Sequence, residues 1–235
     1  AVSTAETTDA VRESATASLQ TDAVQTSEAV SVWFSGIETR AETIAASEAA
    51  AAGDRQGVQT RLDELSDSGL SEGVVAIEYV HLDDVVETVA STEAGSTLAE
   101  SGDTVEATAE RTRPGDGGYT GLLTVPGTEQ QVVGVVAPVA GTDAAVVTFA
   151  APSQFVDTLT ASSTDGEVVV TNPSRTIVGA SMQNRVGDTH EEMGGRIPAV
   201  AAGEQSGGVM TMEMSHHGQS EETFMAFAGV SDAPY

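Results

Sequence analysis

The sequence predicts an α+β protein: a long N-terminal helix followed by two modules built on antiparallel sheets. Three observations carry this. The first 52 residues contain no proline, and their apolar positions recur every three or four residues. From Gly73 onward, short Val-rich runs alternate with Gly, Pro and Asp turn signals. That succession begins again after Asp165-Gly166. The predicted organisation is a helix over 1–53, a first module over 54–162 and a smaller second module over 163–235.

The helix is read from Val11, Ala15, Leu19, Ala23, Thr26, Val30, Trp33, Phe34, Ile37, Ala41 and Ile44. This stripe predicts a helix from near Thr4 to Ala52, with Gly53 as its stop. At 1.5 Å per residue that is roughly 70 Å, longer than a compact domain requires. Most of the stripe is small, and it becomes bulky only in the stretch VSVWFSGIETR, which holds the single tryptophan. Docking onto a globular body is therefore expected at Trp33, Phe34 and Ile37, with a thin stalk before them.

Asp54 is placed to cap a second helix lined by Val58, Leu62 and Leu65, ending at Asp67–Gly69. GVVAIEYV (Gly73–Val80) reads as a buried strand. The following LDDVVETVASTEAGSTLAESGD fits helix and strand equally. Strands are then expected at Gly121–Val125, Gln130–Ala140 and Ala144–Ala150, separated by PGT and AGTD, with a helix opening at Pro152. In the second module, EVVVT and TIVGAS flank NPSR as a hairpin. NRVGDTHEEMGGRIPAVAAG reads as irregular with some helix. GGVMTMEMSHH and ETFMAFAGV close as a strand pair, with Met210, Met212 and Met214 alternating onto one face as core filler.

The charge balance excludes some partners. The chain carries 36 Asp+Glu against 9 Lys+Arg, all nine of them Arg, for a net charge of −27. Such self-repulsion opposes compaction in dilute salt, whereas at molar salt the Debye length falls to about 3 Å and screens it. The composition matches salt adaptation. Nucleic acid is not an expected partner, since phosphate binding needs a basic patch. There is no cysteine, hence no disulfide and no thiol chemistry. The chain begins at Ala and stops after AFAGVSDAPY, and both ends read as cuts within a longer protein.

Catalytic signals are absent: no GxSxG, HExxH, GxGxxG or P-loop occurs, and no enzyme activity or cofactor is expected. No dedicated metal site is expected either. THEEM places His190 beside Glu191 and Glu192, but adjacent carboxylates in so acidic a chain are normally solvated. His216 and His217, as neighbours on a strand, point to opposite faces. AERTRPGDGGYTG (Ala109–Gly121) is the candidate ligand stretch. Arg111 and Arg113 concentrate two of the nine basic groups, followed by Asp116 in a glycine loop and by Tyr119. Arginine grips carboxylates through paired hydrogen bonds, and tyrosine offers an apolar wall with a polar tip. Tyr79, on the first predicted strand, completes the candidate ligand-binding set. The alternative for both arginines is pairing with surface carboxylates, which stabilises little.

This layout resembles the double Cache domain, a pair of PAS-like modules that forms the extracellular sensor of many chemoreceptors and sensor kinases. The likeness is carried by VVGVVAPVAGTDAAVVTFAAPSQFVDTL (Val132–Leu159), by DGEVVVTNPSRTIVGASMQNRVGD (Asp165–Asp188), whose "dG.v..np...ivG" pattern is common in that family, and by the final strand pair. Joined to the composition, the resemblance implies the ectodomain of a haloarchaeal methyl-accepting transducer. It further implies a small-molecule ligand, such as an amino acid, bound in the distal module. It implies a homodimeric full-length receptor held in the cell membrane by spans outside this fragment, with the fragment extracellular. A sensor-kinase ectodomain and a ligand-free surface domain are the alternatives. Some members bind amino acids through an Arg, aromatic and Asp signature. Arg111/Arg113 and Tyr119 fall near the first two positions, but the Trp after the Arg is missing, and Thr148 and Phe149 stand where the Asp is expected.

Overall fold

The computed structural model describes residues 4–82, 86–93, 98–101, 103–113, 117–160, 168–171, 176–181, 185–189, 207–216 and 219–228. Helix α1 spans Thr4–Ala45, a rise of roughly 63 Å. It ends earlier than the apolar stripe predicts. Ser47 sits at φ −69°, ψ 149°, and its Oγ accepts from Ala50 N, so it caps a separate one-turn helix α2, Glu48–Ala51. A serine able to satisfy the backbone outside a helix competes with helix continuation. Gly53, at φ 64°, then reverses the chain. Asp54 caps α3, Arg55–Asp67, by accepting from Gly57 N at 3.1 Å, and α3 buries Val58 and Leu62.

Burial along α1 changes where its side chains become large. Val11 and Val24 are exposed, whereas Val30, Trp33, Phe34, Ile37, Ala41 and Ile44 are all buried. The chain falls into two compact units. One runs from Phe34 to His190; the other holds the first part of α1 with the final strand pair.

The unit from Phe34 contains an antiparallel sheet of β1 (Val74–Leu82), β2 (Val86–Ser91), β3 (Gly118–Thr124), β4 (Gln131–Pro138) and β5 (Ala144–Ala150). Their order is β2-β1-β5-β4-β3, consistent with a PAS-like plan. All seven residues of β5, the middle strand, are buried. A strand buried on both faces reads as a continuous apolar run, as AAVVTFA does. The ambiguous segment resolves as β2, paired with β1 through a bulge. The Gln59 side-chain amide of α3 fastens β2 by donating to Ser91 O at 2.9 Å and accepting from Ser91 N at 3.1 Å.

A 3-10 turn, Ala99–Ser101, and helix α4, Asp103–Arg111, follow. Helix α4 could not be placed from the sequence: the residues it is described as burying are Val105, Thr108 and Ala109, too short a stripe to register. One sheet face packs Ala76, Val80, Val136, Val147 and Phe149 against Val105 and Ala109 of α4. Strand alternation sends Ile77, Tyr79 and Val135 to the opposite face, where Tyr79 meets α2 and Tyr119 meets α1.

Helix α5, Pro152–Thr160, leaves β5. The expected hairpin is present as β6 (Val169–Thr171) paired antiparallel with β7 (Ile177–Ala180). Gly179 lets β7 approach α5: a Cβ there would lie 2.9 Å from Pro152 Cβ. In the other unit, β8 (Gly207–His216) and β9 (Gln219–Ala228) pair antiparallel in unbroken register, Gly207 opposite Ala228 and His216 opposite Gln219. His190, His217 and most of the stretch 182–206 lie outside the described residues.

Two substitution series test this packing by chemical denaturation. Phe34→Ala and Trp33→Ala should each lower stability by ~3–5 kcal/mol, while Val32→Ala, 73% exposed on the same turn, should change it by less than about 0.5 kcal/mol. Equal effects at positions 32 and 34 would refute the placement of α1. Gly179→Ala should cost about 1–3 kcal/mol by overpacking.

Candidate functional site

The sheet face beneath α4 is largely apolar, with one carboxylate among the hydroxyls of Thr88 and Thr120. Glu78 is at the centre of β1, 0% exposed, between Ala76 and Val80 on that face. Burying a carboxylate is costly unless its lone pairs are satisfied. Here Leu98 N donates to Oε1 at 3.1 Å, Ala99 N donates to Oε2 at 3.1 Å, and Thr88 Oγ1 donates to Oε2 at 3.0 Å. Thr88 N in turn donates to Glu100 Oε1 at 3.0 Å. Two glutamates and one threonine thus tie the start of the α4 cover to β1 and β2. The sequence carried a signal for this: Glu78 is the only charged residue in the run VVAIEYV.

The five candidate ligand residues are not brought to one face. Arg111 ends α4 and Arg113 follows it; both are exposed. Tyr119 lies on the opposite face of the sheet, its ring 5.9 Å edge-on from that of Phe34 and its hydroxyl donating to Glu38 Oε2 at 3.4 Å. The Glu38 carboxyl also packs where a Cβ at Gly117 would stand, so Gly117 lies directly against α1. Tyr79 shares that face. Its hydroxyl donates to Ala50 O at 3.2 Å, and its ring stands edge-on to His81 at 5.9 Å. Burial of the Tyr79 phenol raises its pKa above the ordinary 10.0. Asp116 lies outside the described residues.

The two positions where an acid is expected by resemblance face opposite ways. Phe149 fills the α4 side. Thr148, paired with Ile77 and Val135 on the α1 side, is fully buried, and among the described residues its Oγ1 has no hydrogen-bond partner. Among the described residues, no three His, Asp or Glu side chains gather as a metal site, and no helix is long and apolar enough to cross a membrane.

No family model matches the chain, and no curated protein does. Solved structures do. The domain described as the extracellular part of a histidine kinase, mmHK1S-Z2, superposes with TM-score 0.62 at 13% identity, over 94% of this chain and 92% of that one. The ligand-binding domain of the Pseudomonas fluorescens chemoreceptor CtaA, in complex with L-leucine, gives 0.62 at 15% identity, over 91% and 88%. That of the Pseudomonas aeruginosa amino acid chemoreceptor PctB, in complex with L-Arg, gives 0.62 at 16% identity, over 89% and 87%. The chain has the fold of these sensor domains.

Glu78→Ala should destabilise by about 3 kcal/mol or more, because two buried N–H groups lose their acceptor. For Tyr79 the sign follows from its raised pKa. The unfolded chain ionises from pH 10 while the folded one holds its proton, so this contribution is fully present below pH 10 and is lost as pH rises through the folded value. Tyr79→Phe should flatten the alkaline limb of a stability–pH curve; an unchanged limb would show that the phenol is not desolvated.

Proposed function

We propose that this chain is the extracellular ligand-sensing domain of a transmembrane chemotaxis transducer. It binds a small molecule in the module over 54–162, and the second module, over 163–235, passes the effect to transmembrane helices outside the fragment. The observation that carries this reading is the likeness, over about nine-tenths of the chain, to chemoreceptor domains described in complex with amino acids.

The ligand we assign is amino-acid-sized and bears a carboxylate. Arg111 and Arg113 are exposed cations at the C-terminal end of α4, suited to grip that group in a paired geometry. Asp116, in the same loop, belongs to the proposed set. Tyr119 acts behind it, joining the loop to α1 through Phe34 and Glu38, and Tyr79 joins β1 to α2. The transducer works as a homodimer. The signal is bounded by the ligand's difference in affinity between two receptor states. The net charge of −27 supports an extracellular setting of molar salt, as in a haloarchaeon. A second reading, the ectodomain of a sensor histidine kinase, draws on the likeness to mmHK1S-Z2.

A thermal-shift screen of amino acids and small carboxylates in molar salt tests the proposal. A ligand should raise the Tm, and calorimetry should show the Arg111→Ala/Arg113→Ala double variant losing at least about tenfold in affinity. Unchanged affinity in that variant would remove the arginines from the site; a screen without any ligand would remove the sensing role.

A further inference from the structure

We propose that the β8–β9 hairpin holds a soft monovalent cation, Cu(I) or its chemical analogue Ag(I), through methionine thioethers. Met210, Met212, Met214 and His216 occupy alternate positions of β8, so strand periodicity sets them on one face of the pair. The unbroken register adds Met225 to that face, directly opposite Met210. Four of the chain's six methionines and one of its four histidines thus share one face of a two-stranded sheet.

Core filling does not account for this row. Strands β1 to β5 are built largely from Val and Ala and contain no methionine. On the hairpin, Met212 stands opposite Thr223, Met214 opposite Glu221 and His216 opposite Gln219, whereas a face turned to a core rarely carries Glu or Gln. The donor set has its own chemistry. Thioether sulfur is a soft ligand that selects Cu(I), and imidazole also suits copper. The chain has no cysteine, so methionine is its one source of soft sulfur. The net charge of −27 draws cations of every kind. Carboxylate oxygen, however, suits hard ions such as Mg(II) and leaves a soft ion to this face. The spacing also fits. Directly opposed Cβ atoms lie about 5 Å apart, and alternate residues of one strand about 7 Å. A methionine, with three rotatable bonds, adapts to such gaps. Met210, Met212 and Met225 are the closest trio on the register, and Met214 and His216 extend the row toward the hairpin turn.

The test uses the whole chain in molar sodium sulfate, where circular dichroism shows it folded, because chloride competes for soft ions. Ag(I) serves as the redox-inert probe and Mg(II) as the hard control. Methionine ε-methyl NMR and calorimetry follow each titration. Ag(I) should bind one ion per chain and shift the methyl signals of Met210, Met212 and Met225 saturably, while Mg(II) leaves them in place. The volume-conserving double variant Met210→Leu/Met212→Leu should stay folded and lose at least about tenfold in Ag(I) affinity. Thr211→Val, at a position of the other face, should bind Ag(I) as the natural chain does. The inference is overturned if Ag(I) leaves these methyls unmoved, if Mg(II) shifts them alike, or if the double variant binds as tightly as the natural chain. Equal losses in Thr211→Val and the double variant would overturn it too. It is independent of amino acid sensing: an amino acid screen without any hit leaves it standing, and failure to bind Ag(I) leaves the sensing role standing.

Discussion

The architecture follows from the burial of β5 on both faces. A strand of Ala, Val, Thr and Phe with every residue inside obliges the chain to supply two covers, since a sheet face of this kind is stable only when packed. One cover is the end of α1 with α2, reached by Tyr119 and Tyr79; the other is α4, reached by Phe149 and Val147. Aromatics are only 4% of the chain, so these covers rest mainly on Val and Ala in close contact. Such thin cores leave little slack, and a methyl group at Gly179 would already press on Pro152.

Polar ties do the positioning that bulky side chains do elsewhere. Gln59 exchanges two hydrogen bonds with Ser91, and Glu78 holds Leu98 and Ala99. Each joins a helix or turn to a strand of the sheet. Hydrogen bonds are directional where apolar burial is not, so these ties fix where α3 and the α4 cover meet the sheet.

Much of this was legible in the residues. The stripe of α1, the cap at Asp54, the strand β5 and the helix opening at Pro152 carry strong local signals; the structure holds the last three where they are expected and α1 from its expected start, ending it early at Ala45. What was hidden depended on competition or on partners far along the chain. Ser47 ends α1 because a side chain outbids the next helical hydrogen bond. Strand β2 was ambiguous because VETVAS is decided by its pairing with β1. The candidate site was read only in part, since adjacency in AERTRPGDGGYTG says nothing about faces. A change of one residue in strand phase sends Gly118 toward α4 and Tyr119 toward α1. Glu78 was visible as an acid in an apolar strand, but its meaning came from Leu98 and Ala99, 20 and 21 residues away.

The end of α1 deserves a mechanical reading. Phe34 and Glu38 seat it on β3, and the α2 turn that follows is tied to β1 through Ala50. Three strand spacings separate β3 from β1 in the order β2-β1-β5-β4-β3, about 14 Å in all. From Phe34 to Ala50 the chain passes along the rest of α1, through the break capped by Ser47 and into α2. It thus joins an edge strand to a strand three places away with a single capped break between the two ties. Splaying or extra twist of the strands must strain one of these ties or bend the chain at Ser47.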